Sequence, residues 1–206
     1  MNRIACVFLT CVVVAALVLL MVYQSFTFID QKVTKDGVHQ QMINLTSGFS
    51  DDLVEYLKVI RYLRQASSGD SFIVLTQRGG YTTTALPIIK AIQASKAEVM
   101  TQVGSAGWAF SYGAIVTMYG KTIKLRDKDT LSFHAVWFDS PNMISKGETN
   151  MVFKPIRSLF TDEQWSKIYA PNRPIVRLTG KEVCAKLKTR VKISDKNYCI
   201  MRGFTL

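Results

Sequence analysis

The chain has 206 residues, 48% of them hydrophobic, with 26 Lys/Arg against 15 Asp/Glu and a formal net charge of +11. So basic a chain invites a nucleic-acid reading, but no zinc-ligand spacing, RNA-recognition motif or recognition-helix pattern is present, and nucleic acid is not expected as a partner. No Cys/His cluster suits a metal and no nucleotide-binding loop is visible, so neither metal nor cofactor is expected.

The first element is an apolar run, Ile4 to Tyr23, broken only by Thr10. Twenty residues of helix span roughly 30 Å, the thickness of a bilayer core. A cleaved secretory signal has a shorter apolar region and a small-x-small cleavage site. Val22, Tyr23, Gln24, Ser25 and Phe26 offer no such site. Residues 1–25 are therefore expected to be one transmembrane helix that anchors the chain. Arg3 precedes the run, while Asp30, Lys32, Lys35 and Asp36 follow it and cancel. The positive-inside rule then places the N-terminus in the cytoplasm and the body outside it, as in a periplasm.

Residues 26–48 read as a juxtamembrane linker and first strand, the strand lying around Val38–Leu45, with His39 assigned to the linker. Residues 49–206 read as a single α/β domain, and a body of about 180 residues can bury a core of its own. Ser50-Asp51-Asp52 is expected to cap a helix whose apolar positions are Leu53, Leu57, Ile60 and Leu63. Phe72–Thr76 is a short apolar run, expected to be a strand covered on both faces. Thr82–Ser95 is the next helix, with Pro87 in its first turn or bending it. Glu98–Val103 is a second strand, so strand, helix and strand form a right-handed βαβ unit with a parallel pair.

Ser111–Gly120 reads as a buried helix of small and apolar residues. Thr122–Leu125 and Leu131–His134 read as short strands. Asn150–Ala170 is expected to be helical with a break at Pro155. Thr179 can cap a helix over Gly180–Leu187, and Val191–Met201 is a last strand. Charge is concentrated late: residues 151–206 hold 12 Lys/Arg against four Asp/Glu. Such a region is a solvated basic face or a surface for anionic lipid. Cys6 and Cys11 fall in the apolar run. Cys184 and Cys199 can pair if the body is extracytoplasmic, and are ordinary small apolar residues if it is not.

Three features carry chemistry. Gly79-Gly80 follows the Phe72–Thr76 strand, where paired glycines either make a tight turn or let backbone N–H groups face a ligand. Ser111 opens the small-residue helix, as a helix cap or as a nucleophile whose oxyanion would sit at the positive helix end. In the second case the Tyr112 N–H is one oxyanion donor, and Gly79 or Gly80 supplies the other. His134 ends a strand and is a core histidine or a general base.

In order and spacing these pieces resemble the Clp-type peptidase family within the wider crotonase superfamily. The family's Ser-Pro-Gly-Gly turn corresponds to Gln77-Arg78-Gly79-Gly80. Its G-x-A-x-S-x-G-A segment corresponds to Gly107-Trp108-Ala109-Phe110-Ser111-Tyr112-Gly113-Ala114. Its strand ending in the catalytic histidine corresponds to Ser132-Phe133-His134, and Leu178–Val183 looks like a later segment. The likeness covers about residues 40–200 and extends to the membrane-anchored or periplasmic branches.

It implies repeated ββα units with a mainly parallel sheet, a Ser111/His134 hydrolase acting on polypeptide, and homo-oligomerisation. The Ser-Pro of the glycine turn is missing. The window that should hold the family's acid reads Ala170-Pro171-Asn172-Arg173-Pro174 and contains none. Asn172 is the expected third member, because an amide oxygen can orient an imidazole. Asp139 and Asp162 are the alternatives. Two other functions compete: a non-catalytic scaffold or peptide-binding protein, and an acyl-thioester enzyme using the oxyanion site alone.

Overall fold

A computed structural model describes residues 29–33, 39–51, 53–137, 143–170 and 174–206. The apolar run Ile4–Tyr23, and with it the expected anchor, lies outside the described residues. Among those described, no helix is long and apolar enough to cross a membrane.

The body is α/β and built around a mixed, mainly parallel sheet. Strands β1 (Ile29–Val33), β2 (His39–Leu45), β3 (Ser71–Thr76), β4 (Glu98–Val103), β6 (Thr122–Arg126), β9 (Val191–Ser194) and β10 (Tyr198–Arg202) form it in the order β1-β2-β3-β4-β6-β10-β9. The four from β2 to β6 run parallel, while β1, β10 and β9 add antiparallel edges. A second sheet joins β5 (Trp108–Phe110), β7 (Thr130–Phe133) and β8 (Val176–Thr179). The helices are α1 (Leu53–Gln65), α2 (Thr82–Ala94), α3 (Tyr112–Met118), α4 (Lys146–Phe153), α5 (Asp162–Ile168) and α6 (Gly180–Lys186).

Burial alternates along β3 and β4, so the large sheet turns one face to the core. That face carries Ile43, Leu45, Phe72, Val74, Val99, Val103, Ile123 and Leu125. The expectation that Phe72–Thr76 is covered on both faces is thus corrected, since Ile73 and Leu75 stay half-buried. Helix α1 presents Tyr56, Val59, Ile60 and Leu63 inward, whereas Leu57 is 49% exposed. The inward stripe turns on Tyr56 because its hydroxyl has a partner there: it donates to Gly48 O at 2.7 Å and accepts from Ser50 N. A buried phenol with its oxygen satisfied packs like an apolar ring.

Other boundaries shift for local reasons. Residues 29–33, expected as linker, pair with β2, and His39 opens that strand. Pro87 lies beyond the first turn, inside α2. The expected last strand is two, β9 and β10, because the Asp195 N–H reaches back to Tyr198 O and closes a hairpin. The helical stretch after His134 breaks as expected at Pro155, into α4, a 3₁₀ turn at Arg157–Leu159 and α5. Reciprocal capping boxes start α5 at Thr161/Gln164 and α6 at Thr179/Glu182. Cys184 on α6 and Cys199 on β10 form a disulfide with Cα atoms 6.4 Å apart, inside the usual range.

Candidate active site

The site forms where β5 runs into α3. Ser111 sits between them with φ 55° and ψ −127°, and among the described residues it is the only non-glycine with positive φ. That geometry does not suit the first of the two roles open to this serine, the helix cap. A capping residue has extended φ/ψ and its side chain accepts an N–H from the first turn. Ser111 does neither. A serine held in a sparsely populated conformation on a sharp strand-to-helix turn is instead the arrangement that presents a nucleophilic Oγ. Such a conformation costs on the order of 1–3 kcal/mol and survives only where its surroundings impose it.

Those surroundings are specific. Phe110 N donates to Gln77 O at 2.8 Å, and Ser111 N donates to Ser132 O at 2.8 Å. The turn is therefore clamped between the segment after β3 and strand β7. Two glycines allow the clamp to close. A Cβ on Gly79 would lie against Ser111 Cβ and 2.9 Å from its Oγ, and a Cβ on Gly113 would lie 2.7 Å from Arg78 O. Farther back, Arg126 binds the buried Asp129 through Nε at 2.8 Å and donates to Gly104 O at 2.7 Å. This fastens the Gly104–Gly107 loop that leads into β5.

The glycine pair also defines the N–H geometry. Phe49 forms a parallel bridge with Gly80: Phe49 N donates to Gly79 O at 3.0 Å and Tyr81 N donates to Phe49 O at 2.9 Å. In extended backbone, neighbouring residues direct their amides to opposite sides. The Gly80 N–H therefore points away from Phe49, and no described residue accepts it. The Tyr112 N–H is the first of helix α3, where an amide has no intrahelical partner. Gly79 makes room beside Ser111; Gly80 and Tyr112 carry the available donors.

Ser111 is 9% exposed and lines a cavity of about 450 Å³ together with His134. The cavity walls are mainly apolar: Phe110, Ile115, Val136, Trp137 and Ile175, with Tyr81, Thr82 and Tyr112 adding hydroxyls. Tyr112 and Thr82 hydroxyls are 2.8 Å apart, and Thr82 Oγ1 donates to Glu148 at 3.5 Å. Burial pushes the Tyr112 phenol up to about 12; its bond to Thr82 works the other way, and the Glu148 charge adds to the rise. Tyr112 thus stays protonated and donates to Thr82, which passes the polarity on to Glu148.

His134 lies one residue past the end of β7, its ring centroid 5.1 Å from that of Phe110. Its Nδ1 is 2.7 Å from Ala135 O. A carbonyl can only accept, so Nδ1 carries the proton and Nε2 keeps its lone pair. That is the tautomer a base needs. Among the described residues no hydrogen bond joins Ser111 to the imidazole.

The residues singled out from sequence therefore fall into two groups. Ser111, His134, Gly80 and Tyr112 come together around one cavity, with Gly79 against Ser111, although they are spread along the chain. Asn172 and Asp139 lie outside the described residues. Asp162 does not serve the imidazole: it heads α5, pairs with Arg157 and is 98% exposed. Two participants went unforeseen. The Ala135 carbonyl has no residue-type signature. Thr82 and Glu148 are separated by 66 positions, and no local pattern links them. Among the described residues no cluster of His, Cys, Asp or Glu could hold a metal. No protein-family model matches the chain, and no curated protein matches it in sequence.

Proposed function

We propose that the chain is a membrane-anchored serine hydrolase, a peptidase in which Ser111 is the nucleophile and His134 the base. The observation that carries the reading is the backbone of Ser111, at φ 55° on a strand-to-helix turn, beside two amides that no described residue accepts and an imidazole in the same cavity.

In the proposed reaction Ser111 Oγ attacks the substrate carbonyl as its proton passes to His134 Nε2. The Ala135 carbonyl holds Nδ1–H and keeps the ring in register. The oxyanion is received by the N–H groups of Gly80 and Tyr112, with the positive end of α3 behind them. The imidazolium returns the proton to the leaving nitrogen, which departs and leaves an acyl-Ser111 ester. Water then attacks the ester, again with His134 as base, and frees the acid and the serine.

Asn172, from the segment Ala170–Pro174, is proposed as a further orienting group. With an amide rather than a carboxylate in that place, turnover is expected to be slow.

The same reading places the chain in the Clp-type branch of the crotonase superfamily. Support comes from the order β4, β5, α3 and β6, β7, α4, a ββα repeat in which the first strand joins the large sheet and the second the small one. The N-terminal helix as anchor, an extracytoplasmic domain and homo-oligomerisation complete the proposal. The Cys184–Cys199 bridge suits an oxidising compartment.

A non-catalytic peptide-binding role is the second reading, favoured by the lack of a Ser111–His134 hydrogen bond. Labelling with a fluorophosphonate decides between them. The hydrolase reading expects wild-type protein to be labelled and Ser111→Ala not to be. Unlabelled wild-type protein supports the binding role.

A further inference from the structure

Ser111 opens on two sides. Sharing Gly80, Phe110 and Ser111 with the His134 cavity is a second groove of about 510 Å³, also lined by Arg78, Gly79 and Trp108. Its two large side chains are aromatic, and Trp108 is 38% exposed at its wall. Arg78 is its one charged lining residue, and among the described residues no carboxylate pairs with it. An exposed arginine that lines an aromatic groove can bring its guanidinium to a planar anion there through two parallel N–H bonds.

The backbone leaves Arg78 little freedom to be elsewhere. The carbonyls of Gln77 and Arg78 face Gly113, and Gln77 O is also held by Phe110 N. Gly48 approaches from the other side, where a Cβ would lie 3.1 Å from Arg78 Cβ. The residue is thus delivered to the groove mouth by the same clamp that strains Ser111. On the far side of the serine the nearby charge is of opposite sign, Glu148 behind Thr82. The cleft is polarised along its length, and the +11 charge of the chain draws acidic polypeptide towards it.

We propose that Arg78 is a specificity residue: the groove beside Gly79-Gly80 takes an acidic side chain of a polypeptide substrate, whose carboxylate it binds. The inference rests on reading Ser111 as the reaction centre, but it concerns binding and can be tested without turnover.

The experiment uses full-length Ser111→Ala protein in detergent and acetylated, amidated octapeptides of alanine and leucine. A single Glu or Gln is walked through the eight positions, and affinity is measured by fluorescence anisotropy. At one position the Glu peptide should bind about fivefold more tightly than its Gln partner, the strength of a favourable exposed ion pair. The preference should shrink as salt is raised. It should vanish in Ser111→Ala/Arg78→Gln and survive in part in Ser111→Ala/Arg78→Lys. A second arm leaves the C-terminus as a free acid. If the acid binds better than the amide while Glu and Gln are equal, the groove reads a chain end and the side-chain assignment falls. Equal binding at every position, or a Glu preference that persists in Arg78→Gln, overturns the proposal. Fluorophosphonate labelling of wild-type protein is scored separately. A labelled protein without charge preference removes Arg78 alone, and a charge preference without labelling removes the hydrolase reading alone.

Discussion

The two halves of the candidate site are held in different ways. The nucleophile half is fixed from every side: Gln77 O, Ser132 O, Gly79 and Gly113 surround the Phe110–Gly113 turn. The base half is a strand end, where His134 leans on Phe110 and bonds the carbonyl of its own neighbour. The strained backbone is held by close packing, and the imidazole by a ring contact and by hydrogen bonding.

The sharpest test of this contrast is Ser111→Ala. Loss of the nucleophile should lower kcat by up to about 10⁶, leave the melting profile intact and abolish fluorophosphonate labelling. His134→Ala should cost less, on the order of 10⁴, the upper end of what a positioned general base contributes. The double variant should be no worse than Ser111→Ala, and additive losses in single-turnover assays would show that the two do not act together.

Away from the site, reducing Cys184–Cys199 should lower stability by about 3 kcal/mol, the chain-entropy value for a loop of this size. Urea unfolding with and without dithiothreitol measures this, and probe labelling should persist in the reduced protein. Gly79→Ala should do the reverse. It places a methyl against Ser111 Cβ, and a misplacement of about 1 Å costs about 10² in rate. If Gly79→Ala keeps wild-type turnover, the nucleophile half is looser than its contacts imply.

The smallest effect is at Tyr112. Its phenol is raised from 10.0 to about 12 in the fold, chiefly by burial. The folded state therefore holds the proton more tightly than the unfolded chain. The corresponding stability is complete below the unfolded value and is lost as pH climbs from about 10 towards 12. Thermal melts across that range should fall for wild type and fall less for Tyr112→Phe. That variant should cost about 1 kcal/mol at neutral pH through its lost bond to Thr82.

Much of this was legible in the residues. Glycine next to a strand end, then serine before a run of small residues, then a histidine at the end of a strand, are choices that close packing forces, and each marks its place. Strand β5 was not legible, because three residues between glycine-rich turns carry no periodicity. The β9–β10 pair read as one strand because its turn, Asp195-Lys196-Asn197, contains neither glycine nor proline. Tyr56 displaced Leu57 from the core stripe for a reason that lies outside the helix, the carbonyl of Gly48. The Ala135 carbonyl that His134 meets could not be read from the residues, because it is an acceptor that every residue possesses. The conformation of Ser111 is likewise a property of its neighbours, not of serine.

The strand order has a consequence for how the chain acquires its shape. Strand β6 pairs on one side with β4, which comes shortly before it, and on the other with β10, which comes only after β7, β8, β9 and the helices α4 to α6. Until β10 arrives, β6 presents an open edge that any extended segment can occupy. Joining the two closes a long loop, a slow kind of step. The Cys184–Cys199 bond closes a loop of only 15 residues, a contact the chain can make before β10 reaches β6. Once formed, it holds the incoming strand beside α6 and so shortens the search for that open edge.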